Sequence, residues 1–347
     1  MSARIAAVTG GAGFIGRHLV AALAAEGAEV RVLDLSPPPP GLPPQVRYTR
    51  GSILDERLCA QVFDGVDEIY HLAGLAHLWA PDRNLFDVVN AQGTRTVLNA
   101  SRGCGNARMV VTSTEVILRG WQDPAREIRE FEPLPAPETL AGPYTRSKAR
   151  AHAMALAAID EGRDLRIVYP TVPVGPGDDA FTSPTAMIRD FLLRPPPAFL
   201  DCRLNLVAVG DVVAGHLLAA RRGRTGGRYI LGGQDLWMHE ILALLEAISG
   251  EPMPKRRIPF ALALAAGVVS TAIADWVTHA PPQAPLEGVR LARVPRDVII
   301  DAARAELGYA PGPVREALRA AVAWLIEKGH VAKTLDLRAP QTAKRAP

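Results

Sequence analysis

Tyr144 and Lys148 stand four residues apart in GPYTRSK (142–148), at the head of the alanine-rich run ARAHAMALAAI. On a helix that spacing puts both side chains on one face. A phenol beside an ammonium is a couple that can move a proton. A tyrosine with its ordinary pKa of roughly 10 is a poor base at neutral pH, whereas a neighbouring cation favours the phenolate. The pair alone also fits a solvated helix, so its meaning depends on the rest of the chain. The second group is TGGAGFIG (9–16), which follows an apolar run and opens a helical one, with Asp34 placed 18 residues after Gly16. In that strand–turn–helix context the glycines form a dinucleotide fingerprint. Gly10 permits the tight turn, Gly13 lets backbone approach a pyrophosphate, and Gly16 lets the helix pack closely on the sheet. The helix N-terminus adds free N–H groups. Asp34 can accept both ribose hydroxyls of NAD and would repel a 2′-phosphate, and Leu35 and Ser36 supply no arginine, so NAD is expected over NADP.

The elements that must hold these residues alternate. IAAVTG (5–10), EVRVLDL (29–35), EIYHLAG (68–74), MVVTST (109–114) and LRIVYPT (165–171) read as strands. IGRHLVAALAAEG (15–27) and NAQGTRTVLNASRGCG (90–105) read as helices between them. Such alternation predicts an α/β fold, a doubly wound parallel sheet of Rossmann type. SPPPPGLPP (36–44) is an extended surface loop, because adjacent prolines exclude helix and central strand. EFEPLPAPETLAGP (130–143) is a second long loop and delivers the chain to Tyr144. The pattern becomes irregular after 171, returns with RLNLVAV and DVVAGHLLAARR, and is mostly helical over 236–330. The expected division is an NAD-binding domain over 1–171 plus about 205–235, a smaller, mostly helical substrate-binding part over about 172–204 and 236–330, and a tail at 331–347.

Composition narrows the classes. With 48% apolar and 22% charged residues the chain reads as soluble and globular, and a net charge of +3 without any basic cluster gives no reason to expect nucleic acid. Cys59, Cys104 and Cys202 are far apart, which argues against disulfides and a zinc site and fits a reducing cytoplasm; no metal is expected. The first strand begins almost at once, so no signal peptide is expected. Ile258 to Ala274 runs 17 residues without a charge. It reads first as a buried or pocket-lining helix, with peripheral contact at the inner face of a membrane as the alternative.

The form T-G-G-x-G-x-x-G together with Y-x-x-x-K resembles the extended short-chain dehydrogenase/reductase family, and the resemblance covers residues 1 to about 330. GSILD (51–55) is similar to the family's adenine-contacting segment, which implies contacts from Ser52, where the family usually has an acid, and Ile53. HLAG (71–74) resembles the strand end beneath the cofactor, implicating Leu72, Ala73 and Gly74. NAQGT (90–94) resembles a helix start that implicates Asn90. TSTEV (112–116) resembles the strand that carries the catalytic hydroxyl, placing Ser113 in that role with Thr114 as substitute. YPTVPVGPGD (169–178) is similar to the stretch lining the nicotinamide, here Pro170, Thr171 and Val172. The resemblance thus implies a Ser113–Tyr144–Lys148 mechanism, with Lys148 also on the nicotinamide ribose and Phe14 and Ile15 beside the cofactor. It also implies a homodimer through helices of the Rossmann domain. Relatives that serve as NAD-sensing regulators often lose the tyrosine or the lysine, and neither is lost here.

Two substrate classes are in view. Nucleotide-sugar enzymes commonly carry an asparagine and an arginine where this chain has Tyr169 and Leu204, with Arg203 one residue off. HLWAPD (77–82), PTVPVGP, LNLVAVGDVVAGHLLA and GGRYILGG (226–233) resemble hopanoid-associated sugar epimerases. TSTEV and the apolar segment resemble 3β-hydroxysteroid dehydrogenases and sterol decarboxylases. These resemblances imply a large, apolar, ring-bearing substrate such as a hopanoid or sterol. Glu115, in the position of an Asp-Glu pair of sugar dehydratases, and His77 and Trp79, on the loop after EIYHLAG, are candidate contacts. The rival is a nucleotide-sugar epimerase with tightly held NAD.

Overall fold

The apolar runs become neighbouring strands of one parallel sheet. Residues 4–105, 107–124 and 127–332 are described by the computed structural model; the expected tail lies outside them from residue 333 onward. Strands β1 (Ile5–Thr9), β2 (Glu29–Asp34), β3 (Val46–Arg50), β4 (Glu68–His71) and β5 (Arg108–Thr112) are joined by Leu165–Pro170 and Arg228–Leu231. Across the sheet the order is Arg228–Leu231, Leu165–Pro170, β5, β4, β1, β2, β3, with every pair parallel. Chain order reverses between β1 and β4, and an open α/β sheet binds its ligand at the carboxyl ends of the strands at such a switch. β4 and Leu165–Pro170 are buried at every residue, as strands covered by helices on both faces must be. The edge strand β3 has no buried residue, which is why VRYTR shows no apolar run.

A second core stands beside the carboxyl ends. Val172–Val174 pairs parallel with Arg203–Ala208, which pairs antiparallel with Gln234–Trp237. Leu206 packs there with Ile241 and Leu245 of helix Met238–Ser249 and with Leu318 and Val322 of helix Val314–Glu327. The strand Arg203–Ala208 therefore belongs to this small sheet, while the next helix, Val209–Arg222, returns to the main one with Val212 and Val213 in its core.

The charge-free segment departs from the first expectation. Helix Phe260–Ile273 is neither buried nor cavity-lining: it buries only Ala263, Gly267 and Thr271, and leaves Leu262 and Val269 more than half exposed. The physical reason is close packing through small side chains. A Cβ on Gly267 would stand 3.1 Å from Val289 of helix Leu286–Leu291, so contact is made along a narrow seam. A run with no charge and only the adjacent Ser270 and Thr271 as polar residues carries no periodicity to reveal which side that seam is on.

Candidate active site

The glycine loop joins β1 to helix Phe14–Ala25 with no side chain in the way. Gly10 is left-handed at φ 75°, and a Cβ there would sit 2.6 Å from the Ala73 nitrogen; a Cβ on Gly16 would run into the Gly10 carbonyl. Arg17 N–H bonds the Gly13 carbonyl at 3.0 Å, so the N–H groups of Phe14, Ile15 and Gly16 have no intrahelical acceptor. Free donors at the positive end of a helix suit a pyrophosphate. Asp34 lies beside them, its Oδ2 accepting from Ala12 N–H and its Oδ1 from Ser36 N–H, both at 2.9 Å. Each oxygen retains a lone pair for a ribose hydroxyl. A bare backbone cradle, free donors and a carboxylate fit a dinucleotide.

Two adjoining cavities continue from that cradle. One of about 690 Å³ is bounded by Asp34, Ile53, Ala73 and the prolines 37–40. The other, of about 510 Å³, shares Gly10, Gly13, Phe14, Leu72 and Gly74 with it and reaches Ile15, Gly16, Pro170, Thr171 and Val172. Two expected cofactor contacts stand elsewhere. Ser52 lines neither cavity, and its Oγ accepts from Leu54 N–H at 3.1 Å, a local turn bond. Asn90 also lines neither: its Oδ1 accepts from Leu75 N–H at 2.8 Å, and its Nδ2 donates to the Leu75 carbonyl and to Ser147 Oγ. It clamps the loop after β4 to the Tyr144 helix, and both hydrogens of its amide are spent there.

Ser113, Tyr144 and Lys148 all line the second cavity. Ser113 N–H bonds the Val168 carbonyl at 2.8 Å, fixing the end of β5, while its buried Oγ has no protein partner. Helix Pro143–Asp160 begins with proline at its first position and carries Tyr144 one residue later. The ring meets Phe86 edge to face at 6.3 Å. Glu287, arriving from the distant helix Leu286–Leu291, caps this helix: its carboxylate accepts from Tyr144 N–H at 3.1 Å, Thr145 N–H at 2.8 Å and the Thr145 hydroxyl at 2.9 Å. Gly142 makes room for it, since a Cβ there would stand 2.5 Å from Glu287.

Electrostatics differ from the sequence expectation. Burial pushes the Tyr144 phenol above its usual range; a Thr114 hydrogen bond pulls it down, and Glu287 and Glu115 add to the rise. The Lys148 ammonium donates to the Thr112 carbonyl at 2.8 Å and is itself pushed down to about 8 by burial. Thr114 thus keeps its place as an alternative hydroxyl, buried beside the phenol. His71, between Thr9 and Thr94 hydroxyls at 2.8 and 3.0 Å, is held neutral by burial, its pKa near 3.

At the far end the walls are apolar, with Leu75, Leu78, Val116, Met187, Leu204 and Leu291. Glu115 and His77 line them as expected. Trp79 does not: its Nε1 donates to Asp275 at 2.8 Å, outside the cavity. Burial raises Glu115 to about 7 against the pull of Arg296. Arg296, unanticipated, is buried on the same wall with Nε and Nη2 unpartnered. Arg203 also lines the cavity, but its guanidinium is 2.6 Å from Asp297. No motif surrounds Arg296 or Glu287 in the sequence; only folding brings them to the site.

A family model described as the NAD dependent epimerase/dehydratase family matches residues 6–232. Sterol demethylase protein B of Methylococcus capsulatus is 31% identical, covering 93% of this chain and 99% of its own. A 4-hydroxy-2-methyl-3-oxo-4-farnesyl-3,4-dihydroquinoline-1-oxide ketoreductase of Stigmatella aurantiaca is 33% identical, covering 87% and 91%. Among solved structures, DesIV of Streptomyces venezuelae, a dTDP-glucose 4,6-dehydratase with NAD and TYD bound, superposes with a TM-score of 0.74 at 26% identity, covering 95% and 99%.

Proposed function

This chain belongs to the NAD dependent epimerase/dehydratase family, and we propose that it is an oxidoreductase acting with NAD at a secondary alcohol or ketone of a polycyclic terpenoid lipid, of hopanoid or sterol type. The observation that carries the reading is the convergence of Ser113, Tyr144 and Lys148 on one cavity whose remaining wall is largely apolar. Ser113 Oγ, buried and without a protein partner, donates to the substrate oxygen. Tyr144, kept protonated by burial, gives its proton to that oxygen in reduction and takes it back in oxidation. Lys148 holds the nicotinamide ribose and steadies the phenolate when it forms. Gly10–Gly16 and Asp34 would hold NAD, which would supply or accept the hydride. Asp34 favours NAD: its carboxylate lines the cleft, whereas Arg50 on the neighbouring strand donates to the Leu35 carbonyl and does not.

The similarity to a sterol demethylase protein and to a farnesyl-quinoline ketoreductase supports an apolar substrate. A second reading, nucleotide-sugar epimerisation with retained NAD, is favoured by one observation: Arg296, whose unpartnered nitrogens could grip a diphosphate. The two differ in net redox change. The test follows nicotinamide absorbance with NAD, using hydroxylated hopanoids and sterols in parallel with a nucleotide-sugar panel. NADH formation with a lipid alcohol, lost in Tyr144→Phe, supports the dehydrogenase; a sugar isomer without NADH release overturns it in favour of the epimerase.

A further inference from the structure

The described chain has one helical stretch long and apolar enough to cross a bilayer by length and composition, Phe260–Thr278, and only 22% of it is buried. Its inner seam of Ala263, Gly267, Thr271 and Ala274 is fastened along helix Leu286–Leu291, where Thr271 Oγ1 accepts from Leu286 N–H at 2.9 Å. Its far end is pinned by Asp275, which accepts from Trp79 Nε1 and pairs with Arg83. A helix held along one whole side cannot thread a membrane, but it can lie on one. Its outer side is Leu262, Val268, Val269, Ile273, Trp276 and Val277, with Trp276 83% and Val277 71% exposed. A contiguous apolar strip of this kind marks an interaction surface, and an exposed tryptophan suits the headgroup level of a bilayer.

Charge selects the partner. Lys255, Arg256 and Arg257 immediately precede the helix, and Arg293 lies over the Phe260 ring at 5.6 Å; all four are exposed. Lys255 pairs with Glu246 and Arg257 with Asp201, while Arg256 and Arg293 have no ion-pair partner among the described residues. Within Phe260–Thr278 and the helix Leu286–Leu291 the only acids are Asp275 and Glu287, which are taken up by Arg83 and by the Tyr144 helix. A second copy of the chain would bring the same cations, whereas anionic headgroups oppose them. We propose that the outer face of Phe260–Thr278 docks on the surface of an anionic lipid bilayer. The surface adjoins the cavity from two sides. The loop that anchors Asp275 also supplies Leu75, His77 and Leu78 to the cavity wall, and the helix beneath supplies Gly288, Leu291 and Ala292.

The inference does not depend on the substrate, and its test uses none. Full-length protein is floated with vesicles of phosphatidylcholine, alone or mixed with phosphatidylglycerol, and quenching by brominated lipid is read in wild type and Trp276→Phe. The expected result is binding to the anionic vesicles with quenching that is lost in Trp276→Phe. Partitioning should fall at least tenfold in Trp276→Ser/Val277→Ser and in Arg256→Glu/Arg293→Glu, both of which alter exposed residues and keep the wild-type melting temperature. Absence of vesicle binding, or binding that ignores both double variants, overturns the proposal. So does a dimer that dissociates in Trp276→Ser/Val277→Ser while vesicles bind nothing, which would make the face a subunit contact.

Discussion

Replacing Lys148 by methionine should stabilise the NAD-free protein while abolishing turnover. Burial moves the lysine from its ordinary 10.5 to about 8, which corresponds to a cost of about 3 kcal/mol at neutral pH. Methionine keeps the methylene packing and removes that cost, but it forfeits the 2.8 Å charged hydrogen bond to the Thr112 carbonyl, a loss of about 1.5–2 kcal/mol. The net gain is therefore about 1–2 kcal/mol. Its sign can be checked against pH. Folding disfavours the proton, so between about 8 and 10.5 the unfolded chain binds more protons and wild-type stability rises with pH. Below that window the cost is complete; above it the cost is gone. Methionine has nothing to titrate, so its advantage should shrink by about 2 kcal/mol between about pH 7 and about pH 9.5. Urea unfolding of both proteins at the two pH values measures this as a shift in midpoint at constant slope. Equal midpoints at neutral pH, or an advantage that does not change with pH, would refute a buried ammonium at this position.

Removing the Glu287 cap by Glu287→Ala strands the buried N–H groups of Tyr144 and Thr145, so stability should fall by about 2–4 kcal/mol, with Glu287→Gln losing less than half as much in the same urea titration. Glu115 is raised from 4.5 to about 7, so folding favours its proton and wild-type stability should decline across that window. Relative to wild type, Glu115→Gln should gain about 3 kcal/mol by about pH 8 and nothing near pH 4; parallel melting curves would sink the idea. Asp34→Ala should improve binding of NADP relative to NAD at least tenfold, since the carboxylate that repels a 2′-phosphate is gone; calorimetric titration with each cofactor measures the ratio, and an unchanged ratio removes Asp34 from cofactor choice.

The parallel sheet was legible where burial made the sequence plain. β1, β4, β5 and Leu165–Pro170 bury their central residues because helices cover both faces, and each shows as an apolar run, while β2 shows by the alternation of Val30 and Val32 with charged residues. β3 was not, because an edge strand with half-exposed side chains spells no pattern. Val172–Val174 was hidden by length, three residues being too few for any period. The helix Phe260–Ile273 was misplaced for the opposite reason: its apolar residues are so uniform that buried and exposed faces read alike.

The site divides along the same physical line. Gly10, Gly16, Ser113, Tyr144 and Lys148 are legible because each stands in a short local pattern (a tight turn, a strand end, one face of a helix), although partners far along the chain hold several of them in place. Asn90 was drawn toward a ligand by its place in a motif and Trp79 by its place on the loop after β4, yet their polar atoms are engaged with Leu75, Ser147 and Asp275. Glu287 was invisible because its partners lie more than 140 positions earlier. A trace of it did exist in Gly142. The backbone there is extended, at φ −179°, a conformation open to any residue, so no left-handed turn requires the glycine. It is needed for space, because a side chain would collide with Glu287. The acid that caps the Tyr144 helix thus comes from the segment whose next residues, Gly288, Leu291 and Ala292, wall the far end of the cavity. Anything that moves that wall moves the cap on Tyr144, so the two ends of the cavity are mechanically one.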